Sequence, residues 1–201
     1  MTTLRVHRLL YPTSAEGPGS RCALWVQGCP LHCKGCAVPQ TWNPDGGTIC
    51  EVSSLTEEIA AQKELDGITF LGGEPFEQAE ALAELAENLR QHGFSVITFT
   101  GYEKSFIDSA NRQDWNRLIA ATDLLKTGHF IEDAGSAERP WVGSSNQEFH
   151  FLTEQALQWK EHIGEYYNKV EVRIAKDGTF SLNGLAAPPQ WKEIVKRLQT
   201  R

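Results

Sequence analysis

The sequence predicts an α/β fold in which parallel strands carry helices on their outside, arranged as an incomplete barrel. Short apolar strands alternate with amphipathic helices over about 100 residues, which is the pattern of βαβ units and a parallel sheet. The chain has 201 residues, whereas a complete (β/α)8 barrel usually needs about 250. We therefore expect about five or six strands in one domain that spans residues 1–201.

The predicted strands are short apolar runs bounded by glycine or polar turn residues. In chain order they are residues 22–27, 68–71, 95–99 and 123–126. A turn-rich loop precedes the first strand, and the second stops at Gly72-Gly73-Glu74-Pro75. Residues 28–52, which begin with a cysteine-rich segment, are predicted to be loop.

Three helices are predicted between these strands. Ser54 and Glu57 form a capping box, so the first helix begins there and runs to about residue 65. Residues 102–121 form a weaker helix. The clearest amphipathic helix covers residues 76–91. Its apolar positions are Ala79, Leu82, Ala83, Ala86 and Leu89.

The strand and helix alternation fades after residue 127. Residues 169–175 and 179–182 alternate like two strands, and Asp-Gly between them is a hairpin signal. Residues 191–198 predict a final helix. We therefore divide the domain into a core at about residues 16–150 and a C-terminal extension at residues 151–201.

Composition excludes several classes of protein. The chain carries 19 Lys and Arg against 26 Asp and Glu, a net charge of −7, which argues against coating nucleic-acid phosphates. No segment approaches the roughly 20 apolar residues of a membrane helix, and the first 14 residues contain no apolar signal-peptide core. We therefore expect a cytoplasmic protein with no nucleic-acid or membrane partner.

Three cysteines form the motif C-x3-C-x2-C at Cys29, Cys33 and Cys36. One loop with three thiolates within eight residues can wrap an inorganic cluster, and iron–sulfur clusters are held by cysteine thiolates. Three ligands leave one iron of a four-iron cube without a protein ligand. A metal needs such an open position to bind a substrate.

Other uses of these thiols stay open at this point. A zinc site would take its fourth ligand from His32, Cys22 or Cys50, although the second paired cysteine unit common in zinc sites is absent. A redox pair of Cys33 and Cys36 would leave the third cysteine without a role.

The motif resembles the signature of the radical S-adenosylmethionine superfamily. More narrowly, residues 24–30, Gly35 and Thr41-Trp42 resemble the activating enzymes of anaerobic ribonucleotide reductase. The chain departs from that group at Ala37-Val38, where Tyr-Asn is common. The resemblance covers about residues 16–150, and it implies the incomplete barrel of this superfamily.

A second motif, Gly72-Gly73-Glu74-Pro75, follows the second predicted strand. By itself it indicates a strand-to-helix turn. Glycines also allow close approach of a ligand, and ligands of parallel sheets bind at the carboxyl ends of strands. The resemblance implies that this turn binds the methionine amino group of S-adenosylmethionine, with Glu74 as a polar contact.

Weaker candidates follow the later strands. Thr100 and Tyr102 resemble a segment that lines the cofactor pocket, although a turn and a core tyrosine explain them equally well. Lys126 and His129 lie at a further strand end. Residues 139–147 resemble a segment of short activating enzymes, and we expect them to close the site or dock a partner, with Arg139 and Trp141 as anchors.

The resemblance implies an enzyme with a 4Fe–4S cluster and S-adenosylmethionine, which it cleaves reductively to a 5′-deoxyadenosyl radical. It also implies a protein substrate, a glycyl-radical enzyme that approaches through the lateral opening of the incomplete barrel. The electron donor would be a protein such as flavodoxin or ferredoxin. The alternatives are a radical enzyme acting on a small molecule or peptide, and an iron–sulfur or zinc module without catalysis.

Overall fold

The computed structural model describes residues 1–185 together with residues 193, 196 and 197. The strands in this part are β1 (Thr3–Thr13), β2 (Arg21–Val26), β3 (Thr48–Glu51), β4 (Gly67–Gly72), β5 (Ser95–Phe99), β6 (Leu124–Thr127), β7 (Glu148–Phe151), β8 (Val170–Ile174) and β9 (Phe180–Gly184). The helices are α1 (Val52–Ala60), α2 (Ala79–Gln91), α3 (Lys104–Ala110), α4 (Gln113–Ala120) and α5 (Glu154–Glu161). None of these helices has the length and apolar character that a bilayer span requires.

Seven strands form one sheet in the order β3-β1-β2-β4-β5-β6-β7. The four central strands β2, β4, β5 and β6 are parallel, as the sequence predicts. They correspond to the four strands predicted between residues 22 and 126. The flanking pairs β1–β2, β1–β3 and β6–β7 are antiparallel. The fold is therefore a mixed α/β fold with a mostly parallel central sheet.

The two faces of the sheet are packed by different parts of the chain. Successive residues of a strand point to opposite faces, so Val96 joins the larger buried cluster with α1, α2 and α4, whereas Ile97 joins a smaller one. The smaller cluster contains Trp141 and Ala156 of α5. Helices thus cover one face, and the C-terminal part of the chain covers the other.

Three strands were not predicted, and all of them lie outside the parallel core. β3 falls in residues 37–52, so the prediction of loop is wrong there. Its residues are mostly exposed, and it is held by backbone pairing with β1, so it shows no hydrophobic pattern. β1 and β7 also pair antiparallel at the flanks of the core, and β1 adds Leu4 and Val6 to the core.

The helix boundaries differ from the predictions in two places. α1 begins at Val52, not after Ser54, and Glu51 provides no side-chain cap. The Val52 amide instead donates to the Thr2 carbonyl at 3.0 Å, so tertiary pairing sets this end. The predicted helix at residues 102–121 is divided into α3 and α4 by Asn111, whose φ is +46°. α2 is confirmed, and all five predicted apolar positions in it are buried.

The C-terminal extension folds back onto the sheet. The predicted hairpin is confirmed as β8 and β9, whereas α5 was not predicted. Asn168 accepts from the Trp141 amide at 2.8 Å, and the Gly184 amide donates to the Glu16 carboxylate at 2.8 Å. The extension is therefore tied to both the loop after β6 and the segment after β1. The helix predicted at residues 191–198 lies outside the described residues.

Candidate functional site

The candidate site lies where the four parallel strands end. The cysteine loop follows β2, the Gly72–Pro75 turn follows β4, and Thr100 follows β5. Because the carboxyl ends of parallel strands meet at one edge of the sheet, segments more than 40 residues apart in sequence meet there. The topology therefore brings the two predicted motifs together.

The cysteine loop makes tight turns between its thiols. Gly35 has a φ of +77° and His32 has a φ of +46°, so two residues of this loop have the left-handed conformation. The Cys36 amide donates to the Cys33 carbonyl at 3.1 Å. All three motif cysteines are free thiols with partial exposure. Burial raises the pKa of the Cys29 thiol, so metal coordination would have to favour its thiolate form.

Two backbone hydrogen bonds join the cysteine loop to the glycine turn. The Gly73 amide donates to the Val26 carbonyl at 2.9 Å, and the Glu74 amide donates to the Gly28 carbonyl at 2.8 Å. A Cβ atom on Gly73 would lie 2.3 Å from the Gly28 carbonyl oxygen. Gly73 is therefore needed for close contact between the two motifs.

Glu74 is buried, and its carboxylate links two strand ends. Oε1 accepts from the Phe76 amide at 3.0 Å and from the Thr100 hydroxyl at 2.7 Å. Oε2 accepts from the Gly101 amide at 2.8 Å. Burial raises the pKa of Glu74 to about 7. The side chain thus holds the turn after β4 against the turn after β5.

Thr100 and Tyr102 have distinct surroundings. Thr100 is buried, donates to Glu74 and accepts from the Tyr102 amide at 3.0 Å. The Tyr102 ring stacks on Trp115 of α4, and its hydroxyl donates to Glu77 at 2.6 Å. The side chain of Tyr102 therefore packs among the helices, while Thr100 belongs to the link between the turns.

The segment after β6 forms one wall of a cavity. This cavity has a volume of about 520 Å³ and lies between residues 31–34 of the cysteine loop and residues 129–133. It is open to solvent along much of its surface. Cys33 and His129 both line it. Sequence reasoning missed the wall at residues 130–133, because an irregular segment of this composition carries no motif.

Lys126 lies at the end of β6, on the face opposite the helices. Its ammonium lies 4.5 Å from the centre of the Phe99 ring. Burial lowers the pKa of Lys126 to about 8, and the charges of Glu16 and Glu74 oppose this shift. Lys126 is therefore near enough to Glu74 for their charges to interact.

The loop at residues 139–147 differs from the expected docking surface, because five of its nine residues are buried and only Arg139 and Ser145 are exposed. Arg139 is exposed and donates to the carbonyls of Ser145 and Gln147 at 2.9 and 2.7 Å. Trp141 is only 6% exposed and packs against Phe149 and the extension. Trp141 is therefore a core residue, and the expectation that it anchors a partner is wrong.

Gln27 and Trp42 were not predicted as site residues, yet they hold the segment that follows the cysteines. The buried Gln27 amide nitrogen donates to the carbonyls of Gln40 and Asn43 at 3.0 and 2.7 Å. The Trp42 ring stacks on His32 with 4.6 Å between the ring centres. A polar residue at the end of an apolar strand was the available signal for Gln27.

The donor set fits an iron–sulfur cluster. Its three thiols are free and partly exposed, and cysteine thiolates are the ligands that hold iron–sulfur clusters. A four-iron cube takes a thiolate on each of several irons, so its ligands surround a space and do not meet at a point. The Trp42 indole nitrogen beside this loop is buried without an acceptor among the described residues.

Comparison with known proteins decides the family. The model of the 4Fe-4S single cluster domain matches residues 15–150. The chain belongs to this family. The anaerobic ribonucleoside-triphosphate reductase-activating protein of Vibrio cholerae is 30% identical over 152 residues, 71% of this chain and 96% of that protein.

Other relatives agree with this assignment. The corresponding protein of Escherichia coli K12 is 28% identical over 151 residues, with the same coverage. The pyruvate formate-lyase-activating enzyme of Listeria monocytogenes is 35% identical over 131 residues, 60% of this chain and 51% of that enzyme. The chain is thus a radical S-adenosylmethionine enzyme of the activating type, and its cofactors are a 4Fe–4S cluster and S-adenosylmethionine, as predicted. Residues 151–201 lie beyond the family match.

Proposed function

We propose that this enzyme installs a glycyl radical on a partner protein such as anaerobic ribonucleoside-triphosphate reductase. The names of its relatives support this substrate class, since the relatives activate that reductase or pyruvate formate-lyase. When bound, the cluster and S-adenosylmethionine supply the reductive cleavage that forms the 5′-deoxyadenosyl radical. A protein such as flavodoxin or ferredoxin would supply the electron.

We propose Cys29, Cys33 and Cys36 as the cluster ligands. The observation that carries this proposal is the pair of backbone hydrogen bonds between the base of the cysteine loop and the Gly73-Glu74 turn. These bonds hold a three-thiol loop directly beside the turn, whose two glycines are partly exposed. A cofactor that must meet a cluster needs this juxtaposition, because alignment of reacting groups lowers the barrier.

We propose that the backbone of Gly72 and Gly73, with Pro75 shaping the turn, lies against S-adenosylmethionine. Glu74 acts chiefly by positioning, because its carboxylate already accepts three hydrogen bonds. Thr100 extends this support to the end of β5, and the backbone at Tyr102 completes the same wall.

The partner segment would reach the site from the carboxyl ends of the strands. The sequence argument placed its entry at a lateral opening. The face of β5 and β6 opposite the helices is instead packed against Trp141, α5 and Tyr166. An approach along this face would have to displace that cluster. Exposed Arg139 lies in the loop after β6 and is our candidate for contact with the partner.

We also propose that residues 1–201 form one domain whose sheet curves as an incomplete barrel. The order of the parallel strands, with helices on one face, supports this architecture. A cytoplasmic location stays a prediction from the sequence.

Alanine substitution of each cysteine tests the cluster ligands. Cys29→Ala, Cys33→Ala and Cys36→Ala should each abolish the 4Fe–4S electron paramagnetic resonance signal after anaerobic reconstitution, because each removes one thiolate. Cys22→Ala and Cys50→Ala are matched controls and should keep it. Loss of the signal in a control with retention in a motif variant would refute this ligand set.

The substrate is tested with candidate partners. The reconstituted enzyme, a reductant and S-adenosylmethionine are incubated with a glycyl-radical enzyme encoded in the same genome. We expect a glycyl radical on the partner and 5′-deoxyadenosine in solution. Formation of 5′-deoxyadenosine with radical transfer only to a small metabolite or peptide would favour the alternative substrate class.

A further inference from the structure

The cysteine loop is closed at its base by backbone hydrogen bonds. The Gly28 amide donates to the Thr41 carbonyl at 2.7 Å, and the Cys29 amide donates to the Trp42 carbonyl at 3.2 Å. Residues 30–39, which include two of the three motif cysteines, therefore form a loop whose two ends are tied together.

The side chain of Gln27 adds two bonds to the same closure. Gln27 directly follows β2 and is buried. Its Nε2 donates to the Gln40 carbonyl at 3.0 Å and to the Asn43 carbonyl at 2.7 Å. Four successive carbonyls, at residues 40–43, thus all accept from residues 27–29, and one side chain provides half of these bonds.

His7 of β1 determines which way the Gln27 amide faces. His7 Nδ1 lies 3.1 Å from Gln27 Oε1. The two carbonyl acceptors require the amide nitrogen on their side, so the amide oxygen is the atom that faces His7. This oxygen can only accept a hydrogen bond, so His7 must donate from Nδ1. The Gln27 main chain is fixed as well, because its carbonyl accepts from Gln78 Nε2 at 2.9 Å.

We propose that Gln27 is a positioning residue for the iron–sulfur cluster, which holds Cys33 and Cys36 close to Cys29 before iron binds. This inference rests on the proposed cluster ligands. Without the two side-chain bonds the loop would adopt a wider set of conformations, and ordering it around a cluster would cost more entropy. Gln27 acts through the loop, and His7 acts through Gln27.

Gln27→Met tests the inference, because methionine has a similar length and removes both amide bonds to the loop. The readout is the rate at which an iron chelator removes iron from the anaerobically reconstituted protein. An open loop exposes the iron–thiolate bonds, so this rate reports how often the loop opens. We expect it to rise about tenfold to hundredfold in Gln27→Met, and about threefold in His7→Ala, which removes only the orienting bond.

Two comparisons separate positioning from general loss of stability. His7→Ala should add nothing to the rate in a Gln27→Met background, because no amide is left to orient. Arg21→Met is the matched control, since Arg21 begins β2 at the opposite end of the strand and its guanidinium also donates to buried groups. It should lower the free energy of urea unfolding and leave the rate of iron loss unchanged. A wild-type rate in Gln27→Met, or an equal rise in Arg21→Met, overturns the inference.

A measurement on the unsubstituted, cluster-free protein serves if Gln27→Met fails to fold. With ¹⁵N-labelled histidine, nuclear magnetic resonance should show the neutral His7 ring with its proton on Nδ1, and His7→Ala assigns the signal. A neutral ring with its proton on Nε2 overturns the inference. Failure of the proposed cysteine ligands would instead appear in the alanine variants of those cysteines, so the two failures are distinguishable.

Discussion

Gly73→Ala provides a direct test of the contact between the two motifs. The added Cβ would lie 2.3 Å from the Gly28 carbonyl oxygen and 2.9 Å from that of Val26. Both oxygens belong to backbone, so the turn and the cysteine loop would have to separate by roughly 1 Å to reach ordinary van der Waals contact. That separation would break the hydrogen bonds from the Gly73 and Glu74 amides.

The cost follows from these two bonds. Breaking each bond leaves a buried donor and a buried acceptor without a partner, so we expect a loss of about 2–5 kcal/mol in the free energy of unfolding. For a chain of this length the melting temperature would fall by roughly 5–20 °C. Because the base of the cysteine loop moves, the iron content after reconstitution should fall as well.

Urea unfolding of the cluster-free protein and iron analysis of the reconstituted protein measure the two effects. Gly164→Ala is the matched control, since nothing lies within 4 Å of its added Cβ. Wild-type stability and iron content in Gly73→Ala would refute the reasoning. Wild-type stability with weaker S-adenosylmethionine binding would instead place the added methyl group against the cofactor.

Three further predictions concern buried groups and the loop after β6. Burial raises the pKa of Glu74 from 4.5 to about 7, so the folded state binds more protons than the unfolded chain between these values. The free energy of unfolding of the protein therefore falls by about 3 kcal/mol as pH rises from about 4.5 to about 7. Glu74→Gln should remove this pH dependence, which is measured by urea unfolding of both proteins at about pH 5 and about pH 8. If the variant lost as much stability between these pH values as the wild type, the raised pKa of Glu74 would be contradicted. Arg21 is fully buried and donates to Thr69 and to the Ile68 and Ser95 carbonyls, so Arg21→Met should cost roughly 3 kcal/mol, measured by thermal unfolding; a wild-type melting temperature would exclude this role. Trp141→Ala should lower the free energy of unfolding by about 3–5 kcal/mol. Arg139→Ala should keep that stability, and it should reduce the glycyl-radical yield on the partner more than the 5′-deoxyadenosine yield measured in the absence of the partner. Equal losses in both assays would place Arg139 outside the partner contact.

Local signals in the sequence were sufficient for the parallel core and the two motifs. Each of the four central strands is a run of buried residues ended by glycine or a polar turn, so its hydrophobic character is visible without knowledge of its neighbours. The cysteine spacing is equally local, because one short loop supplies all three thiols. The family and its cofactors follow from these signals.

Strands and helix ends that depend on distant partners escaped prediction. β3 is mostly exposed and exists because β1 offers it an antiparallel edge. The start of α1 is set by a bond from Val52 to Thr2, which no capping motif encodes. In both cases the stabilising group lies tens of residues away, so hydrophobic period and capping residues carry no signal.

The tertiary structure also decided what individual side chains do. In the sequence, Glu74 stands in a motif that suggests a ligand contact, and Trp141 stands in a segment that suggests a docking surface. Trp42 stands in a segment predicted to be loop. Burial assigns Glu74 three hydrogen-bond donors and assigns Trp141 a place in the core. It leaves the Trp42 indole N–H without an acceptor. Residue type sets the hydrogen bonds and contacts that a side chain is able to make, while the groups brought against it by folding determine which of them it makes.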